Sequence, residues 1–333
     1  MNIAINGFGR IGRSVFRILN SKEGVNIVAI NDIFDKEALT YLLKYDTVMG
    51  RFPESVFLDG DILNTESQNV KLIAERDPKS LPWSELGIDI VIESTGIFRQ
   101  KSQLEDHLTA GAKKVVLTVP AKDEIDYTVV LGVNDGGLLP DHKIVSNASC
   151  TTNCLAPMAK VLNDAFGIEL GVINTIHAYT NDQRLADVPH SDWRRSRAAA
   201  ENVIPTTTGA ARAVGKVLPE LNGKLDGIAM RVPVPDGSVV DFNVRLKKDV
   251  TVDQINDAVR SAADNGPLKH VLEYSTLPVV STDIIGNPHS SIFDAPFTRV
   301  VEGNFVKTLN WYDNEWGYSN RVADLLSTLY ELG

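Results

Sequence analysis

Short, almost uninterrupted apolar runs alternate with amphipathic stretches through the first half of this chain. "NIAIN" (2–6) leads into "RIGRSVFRILN" (10–20), and "NIVAIND" (26–32) leads into "KEALTYLLKY" (36–45). "IDIVIEST" (88–95), "KKVVLTVP" (113–120) and "HKIVSNA" (142–148) read as further strands, with helical stretches ahead of several of them. Strands that are apolar on both faces predict a parallel sheet covered by helices on both sides. Beyond about residue 150 the texture changes. "ELGVINTIHAYT" (169–180), "KLDGIAMRVPV" (224–234), "SVVDFNVRLKK" (238–248) and "NFVKTLNWYD" (304–313) are longer and alternate polar with apolar positions, which predicts an antiparallel or mixed sheet with one solvated face. Thr251 and Gln254 form a capping box ahead of Ile255, Val259 and Ala262, so a helix starts there. The last stretch, "EWGYSNRVADLLSTLYELG" (315–333), is again helical and amphipathic. The fold class expected is α/β followed by α+β.

Composition narrows the function classes. The 333 residues are 43% hydrophobic and 23% charged, with a formal net charge of -10. That suits a soluble globular chain with room for two cores. No segment approaches the ~18 apolar residues of a membrane span, and the first residues do not read as a secretory leader, so a cytoplasmic protein is expected. Acidity argues against a dedicated nucleic-acid or membrane partner. Two cysteines and six histidines without paired spacing predict no metal site and no disulfide framework.

Gly7-x-Gly9-x-x-Gly12 follows the first strand and opens the first helix. In that context the first glycine permits a tight turn, the second lets backbone approach a pyrophosphate, and the helix N-terminus offers free N–H groups. Asp32 ends the second strand, twenty positions past Gly12, where a carboxylate accepts the adenosine ribose hydroxyls and repels a 2′-phosphate. The cofactor expected is NAD.

Both cysteines lie in "SNASCTTNC" (146–154). Cys150 falls where a strand gives way to a helix, and a thiol at a helix start gains from the dipole and free N–H groups, which lowers its pKa. Cys154 sits a turn deeper, beyond that effect. Of the histidines only His177 lies within a strand, whereas His107 and His270 fall in polar helical or loop stretches and the others beside turns. A strand histidine becomes a base only beside a nucleophile, which sequence does not show. Arg195, Arg231, Thr180, Thr208 and Gly209 are groups of the kind that grip phosphate where a fold gathers them; taken singly, each Arg also fits a surface or interface ion pair and each Thr a cap or strand position.

Six stretches, "INGFGRIGR", "SNASCTTNCLAP", "HAYTNDQRL", "RRSRAAAENVIPTTTGAA", "RVPVPDGSVVD" and "WYDNEWGYSNR", together resemble the phosphorylating glyceraldehyde-3-phosphate dehydrogenases, in the same order from one end to the other. The resemblance implies an NAD-binding Rossmann domain over 1–149, completed by the helix 315–333, and a catalytic domain over 150–314. It implies Cys150 as nucleophile and His177 as its base. Arg10, Ile11, Asp32, Arg76, Thr118 and Asn314 fall where that family contacts NAD. Ser149, Thr151, Thr180, Arg195, Thr208, Gly209 and Arg231 fall where it holds substrate and inorganic phosphate, and a homotetramer is implied. Met49, Val119 and Trp193 depart from the residues usual there. Erythrose-4-phosphate dehydrogenase is the nearest alternative, aspartate-semialdehyde dehydrogenase is disfavoured by Asp32 and the cysteine stretch, and a non-catalytic dinucleotide sensor is the alternative of a different class.

Overall fold

The computed structural model describes residues 1–333. Contacts divide the chain into two compact units: Met1–Val129 with Gly136–Ala148 and Ser319–Gly333, and Val130–Asp135 with Ser149–Tyr318.

The first unit is built on a nine-stranded sheet. Six parallel neighbours run in the order Tyr127–Thr128, Ile144–Ser146, Lys114–Leu117, Ile90–Glu93, Asn2–Asn6 and Asn26–Asn31. Asn69–Ile73 continues the parallel order. Ile62–Asn64 and Phe57–Asp59 then extend the edge antiparallel, an extension that the parallel pattern did not foretell. Ile90–Glu93 and Lys114–Leu117 are buried at every position, as strands covered on both faces must be. Helices Arg10–Leu19 and Lys101–Thr109 belong to this unit, and so do Ser319–Glu331 of the last helix, whose Val322, Leu325, Leu326 and Leu329 are buried.

His107, read from sequence as part of a polar helical stretch, is fully buried. The indole of Trp83 donates to its Nδ1 at 3.1 Å, and its Nε2 stands 3.0 Å from Glu93 Oε2. Asn6 and the Thr95 backbone N–H also donate to Glu93, so the carboxylate is buried with its lone pairs satisfied.

The second unit carries an eight-stranded mixed sheet. Its centre is the long strand Ile168–Ala178, parallel to Leu225–Val232 on one side and antiparallel to Ser238–Leu246 on the other. Phe305–Tyr312 lies antiparallel beyond Ser238–Leu246. On one face Ile173, Phe242 and Val244 are buried, and the helix Cys150–Phe166 packs there with Leu155, Met158 and Leu162 inward. The other face leaves Leu170, Val172, Ile228 and Phe305 exposed. The capping box at Thr251 and Gln254 starts the helix Val252–Asp264, with Ile255 and Val259 buried. No helix is long and apolar enough to cross a membrane.

Candidate active site

In the first unit the glycine turn has the shape that a dinucleotide requires. Gly7 has φ +94, and a Cβ there would lie 2.6 Å from the Thr95 nitrogen. At Gly12 a Cβ would meet the Gly7 carbonyl oxygen at 2.1 Å. Only glycine fits either position. Nothing lies within 4 Å of a Cβ built on Gly9, so the backbone at the helix start faces open space. Ile11 follows in the first helical turn. Asp32 Oδ2 accepts the Phe8 N–H at 2.7 Å and Oδ1 accepts the Phe34 N–H at 3.1 Å, which seats the carboxylate against the turn with lone pairs to spare. The Arg10 guanidinium is ion-paired with Asp46. Arg76 is exposed, and the Thr118 hydroxyl is turned inward to the Glu93 carbonyl at 3.1 Å. These residues fit a dinucleotide on geometry: a cradle that a side chain would fill, a free helix start and an acidic ribose partner.

In the second unit Ser149 caps the helix Cys150–Phe166, its hydroxyl accepting the Thr152 N–H at 3.1 Å. One residue earlier in the chain, Ala148 adopts φ +54, a left-handed conformation that costs an L-residue about 1 kcal/mol. Cys150 therefore opens the helix, partly exposed, while Cys154 is fully buried against Asn310 and Ser291. Cys150 Sγ stands 3.5 Å from His177 Nε2. Strand register sets the other neighbour: His177 pairs with Arg231 across the parallel strands. Arg231 Nη1 reaches His177 Nδ1 at 2.5 Å and donates to the Ala178 carbonyl at 3.0 Å, while Nδ1 itself lies 2.7 Å from that carbonyl.

Nδ1 can donate to the carbonyl or accept from the guanidinium, not both at once. The first tautomer leaves Nε2 able to take a proton from Cys150, and the second lets Nε2–H donate to a thiolate. Burial, reinforced by the Arg231 charge, drops His177 from 6.5 to about 3. Burial also raises the Cys150 thiol above its ordinary value, against the pull of Arg231 and of the Thr151 N–H and hydroxyl. The lowering expected from the helix start is thus outweighed by desolvation. Either charge alone is disfavoured, whereas moving the proton from Sγ to Nε2 creates opposite charges that attract across a short gap.

The expected phosphate groups are spread along the same unit. Thr180 follows the His177 strand, and its N–H meets Gln183 Oε1 at 3.3 Å. The Thr208 hydroxyl accepts the Ala210 N–H at 3.2 Å, and Gly209 stands at the start of the helix Ala210–Val217. Arg195 Nε donates to Thr206 Oγ1 at 2.9 Å and its Nη1 to Asp182. Thr151 is turned inward, its hydroxyl 2.9 Å from Tyr312 Oη. Asn314 Oδ1 accepts the Ser238 hydroxyl at 2.6 Å, and Ser238 Oγ in turn accepts the Ala178 N–H at 3.1 Å.

Sequence reasoning passed over Tyr312, Ser238 and Asp236. Tyr312 Oη bridges Thr151 and Thr175 at 2.9 Å each, and its ring meets His177 edge-on. The tyrosine lies in the "WYDNEW" stretch, but nothing there tells which face of the strand it occupies. Asp236 is buried and faces Asp313, and both burial and that charge push it up to about 9.

Residues 1–101 match the glyceraldehyde 3-phosphate dehydrogenase NAD binding domain, and residues 149–314 match the C-terminal domain of the same family. Among curated relatives, the chain is 58% identical to the glyceraldehyde-3-phosphate dehydrogenase of Borreliella burgdorferi over 99% of both chains. It is 56% identical to that of Streptomyces coelicolor over 98% of this chain and 97% of the relative. With the Geobacillus stearothermophilus protein it shares 53% identity over 100% of this chain and 99% of the relative. A glycine cradle for NAD, a cysteine at the first position of a capped helix and a strand histidine within reach of it thus occur in a chain that belongs to the glyceraldehyde-3-phosphate dehydrogenase family.

Proposed function

We propose that this chain catalyses the reversible oxidative phosphorylation of D-glyceraldehyde 3-phosphate by NAD and inorganic phosphate to 1,3-bisphosphoglycerate, through a thioester on Cys150. The observation that carries the reading is the 3.5 Å approach of Cys150 Sγ to His177 Nε2.

Gly7, Gly9, Arg10, Ile11, Gly12, Asp32, Arg76, Thr118 and Asn314 hold NAD, which when bound supplies the hydride acceptor. His177 takes the thiol proton as Sγ adds to the aldehyde carbon. The N–H groups at the start of the Cys150 helix stabilise the oxyanion, with Ser149 and Thr151 shaping that turn. His177 returns that proton to the oxyanion to give the hemithioacetal hydroxyl, and accepts it back as the carbon loses its hydride, leaving the thioester. Arg231 and Thr180 hold the substrate's own phosphate, so remote binding energy orients the aldehyde over Sγ. Arg195, Thr208 and Gly209 hold inorganic phosphate, which attacks the thioester carbonyl and releases the acyl phosphate and the Cys150 thiolate.

The working form we propose is a homotetramer in the cytoplasm. The exposed Leu170, Val172, Ile228 and Phe305 on one sheet face, together with the exposed Leu185 and Trp193, support burial against further copies. The test of the activity is NADH formation from glyceraldehyde 3-phosphate with and without phosphate, and from erythrose 4-phosphate. Sustained turnover that requires phosphate and prefers the triose is expected. Preference for the tetrose, or full turnover without phosphate, overturns the reading.

A further inference from the structure

Arg195 is already occupied by anions of this chain. Its Nη1 donates to Asp182 Oδ2, its Nη2 reaches the Thr207 carbonyl at 3.4 Å, and Asp192 Oδ2 lies 3.4 Å from Nε. The two carboxylates are held differently. Asp192 is built in: Oδ1 accepts the Arg194 N–H at 2.9 Å, and Oδ2 accepts the Thr206 hydroxyl at 2.8 Å. Asp182 is held through side chains alone, by Arg195 and by His190, whose Nε2 is 3.6 Å from Oδ1. Its side chain is also 55% exposed, against 21% for Arg195, so it has water to move into. Although its partial burial alone would raise it, the Arg195 hydrogen bond and charge keep the Asp182 carboxyl below its ordinary value.

We propose that Asp182 is a carboxylate latch on Arg195, occupying the guanidinium when inorganic phosphate is absent and swinging into solvent when phosphate takes its place. The inference rests on the reading of Arg195 as a group that holds inorganic phosphate. Asp182 is then a specificity-determining residue. A monoanion gains from Arg195 little more than the latch already supplies, whereas a phosphate dianion brings a second charge and more acceptor oxygens. Asp192 stays in place and orients the guanidinium through Thr206.

Competition has a sign that simple damage does not share. Asp182→Asn keeps the shape and removes the charge, so the KM for phosphate should fall about two- to fivefold, the scale of a half-exposed ion pair. The value of kcat at saturating phosphate should change less. Asp182→Glu keeps the charge and should leave the phosphate KM within about twofold. A readout independent of turnover is the melting temperature of the NAD-loaded protein against added phosphate, whose midpoint should move to lower phosphate in Asp182→Asn. An unchanged or raised phosphate KM and midpoint in Asp182→Asn, with Arg195→Ala raising both, overturns the latch while the phosphate role of Arg195 stands. If Arg195→Ala leaves both unchanged, the reading of Arg195 fails and the latch with it.

Discussion

His177 stands between Cys150 and Arg231, with Nε2 3.5 Å from the thiol and Nδ1 2.5 Å from the guanidinium. The cation lowers both partners: it favours the thiolate and disfavours the imidazolium. Removing it should therefore raise the thiol pKa. In Arg231→Ala the pH profile of iodoacetate labelling at Cys150 should shift alkaline by about one pH unit. Arg195→Ala should shift it far less. Equal shifts in both variants would show that the local cation is not what tunes the thiol.

The two cysteines should separate in the same labelling experiment. Burial pushes the Cys154 thiol far above its ordinary value, with only a hydrogen bond to Ser291 opposing it, whereas Cys150 is partly exposed beside Arg231. Thiolate fraction and access both favour Cys150. Peptide mapping after stoichiometric iodoacetate should find the label on Cys150. Comparable label on Cys154 in the folded protein contradicts the assignment.

Asp32 should decide cofactor choice. Its carboxylate is fixed by the Phe8 and Phe34 N–H groups, so a 2′-phosphate cannot push it aside without breaking the glycine turn. Asp32→Ala should narrow the preference for NAD over NADP by about 1 to 3 kcal/mol in kcat/KM. Equal efficiency with both cofactors in the unmutated protein refutes this.

Asp236 sets a stability slope. Its folded pKa of about 9 lies above the ordinary 3.8, because burial and Asp313 disfavour its charge. A raised folded pKa means stability that is full below the unfolded value and lost as pH climbs through the folded one. Between about pH 4 and 9 the unfolded chain ionises this group first, so folding weakens with rising pH. Asp236→Asn should raise the melting temperature at pH 8 to 9, by about 1 kcal/mol or more of stability, with the gain vanishing near pH 4. A gain that is the same at both ends of the range excludes titration as its cause.

What was legible in the sequence follows from local physics. The strand periods, the capping box at Thr251, the glycine turn and the cysteine at a strand-to-helix boundary are each encoded within a few residues. The relationships that make chemistry are not. Tyr312 meets Thr151 from 161 positions away because a helix packs on the sheet, and His177 meets Arg231 from 54 because strand register pairs them; neighbouring sequence encodes neither. The rise of the Cys150 thiol was hidden for a related reason: the helix start is visible in the chain, but the desolvation that opposes it depends on what packs around it. The Ala148 turn departs from residue preference, and no local signal marks it.

Arg231 and Arg195 should fail differently in kinetics. Each charge-assisted bond to phosphate contributes about 1.5 to 3 kcal/mol, or about one to two decades. Arg231→Ala should weaken glyceraldehyde 3-phosphate and slow acylation. Arg195→Ala should leave most of the first NADH burst while slowing thioester phosphorolysis. Loss of the burst in Arg195→Ala with its retention in Arg231→Ala would reverse the assignment.

The most direct test of the account is a single turnover. NAD-loaded protein is mixed with glyceraldehyde 3-phosphate in the absence of phosphate, NADH is followed by rapid mixing, and the quenched chain is digested for mass analysis. One NADH per chain, with an acyl group on the Cys150 peptide that added phosphate removes, is the result expected. A burst without acylated Cys150, or an acyl group on any other residue, contradicts it.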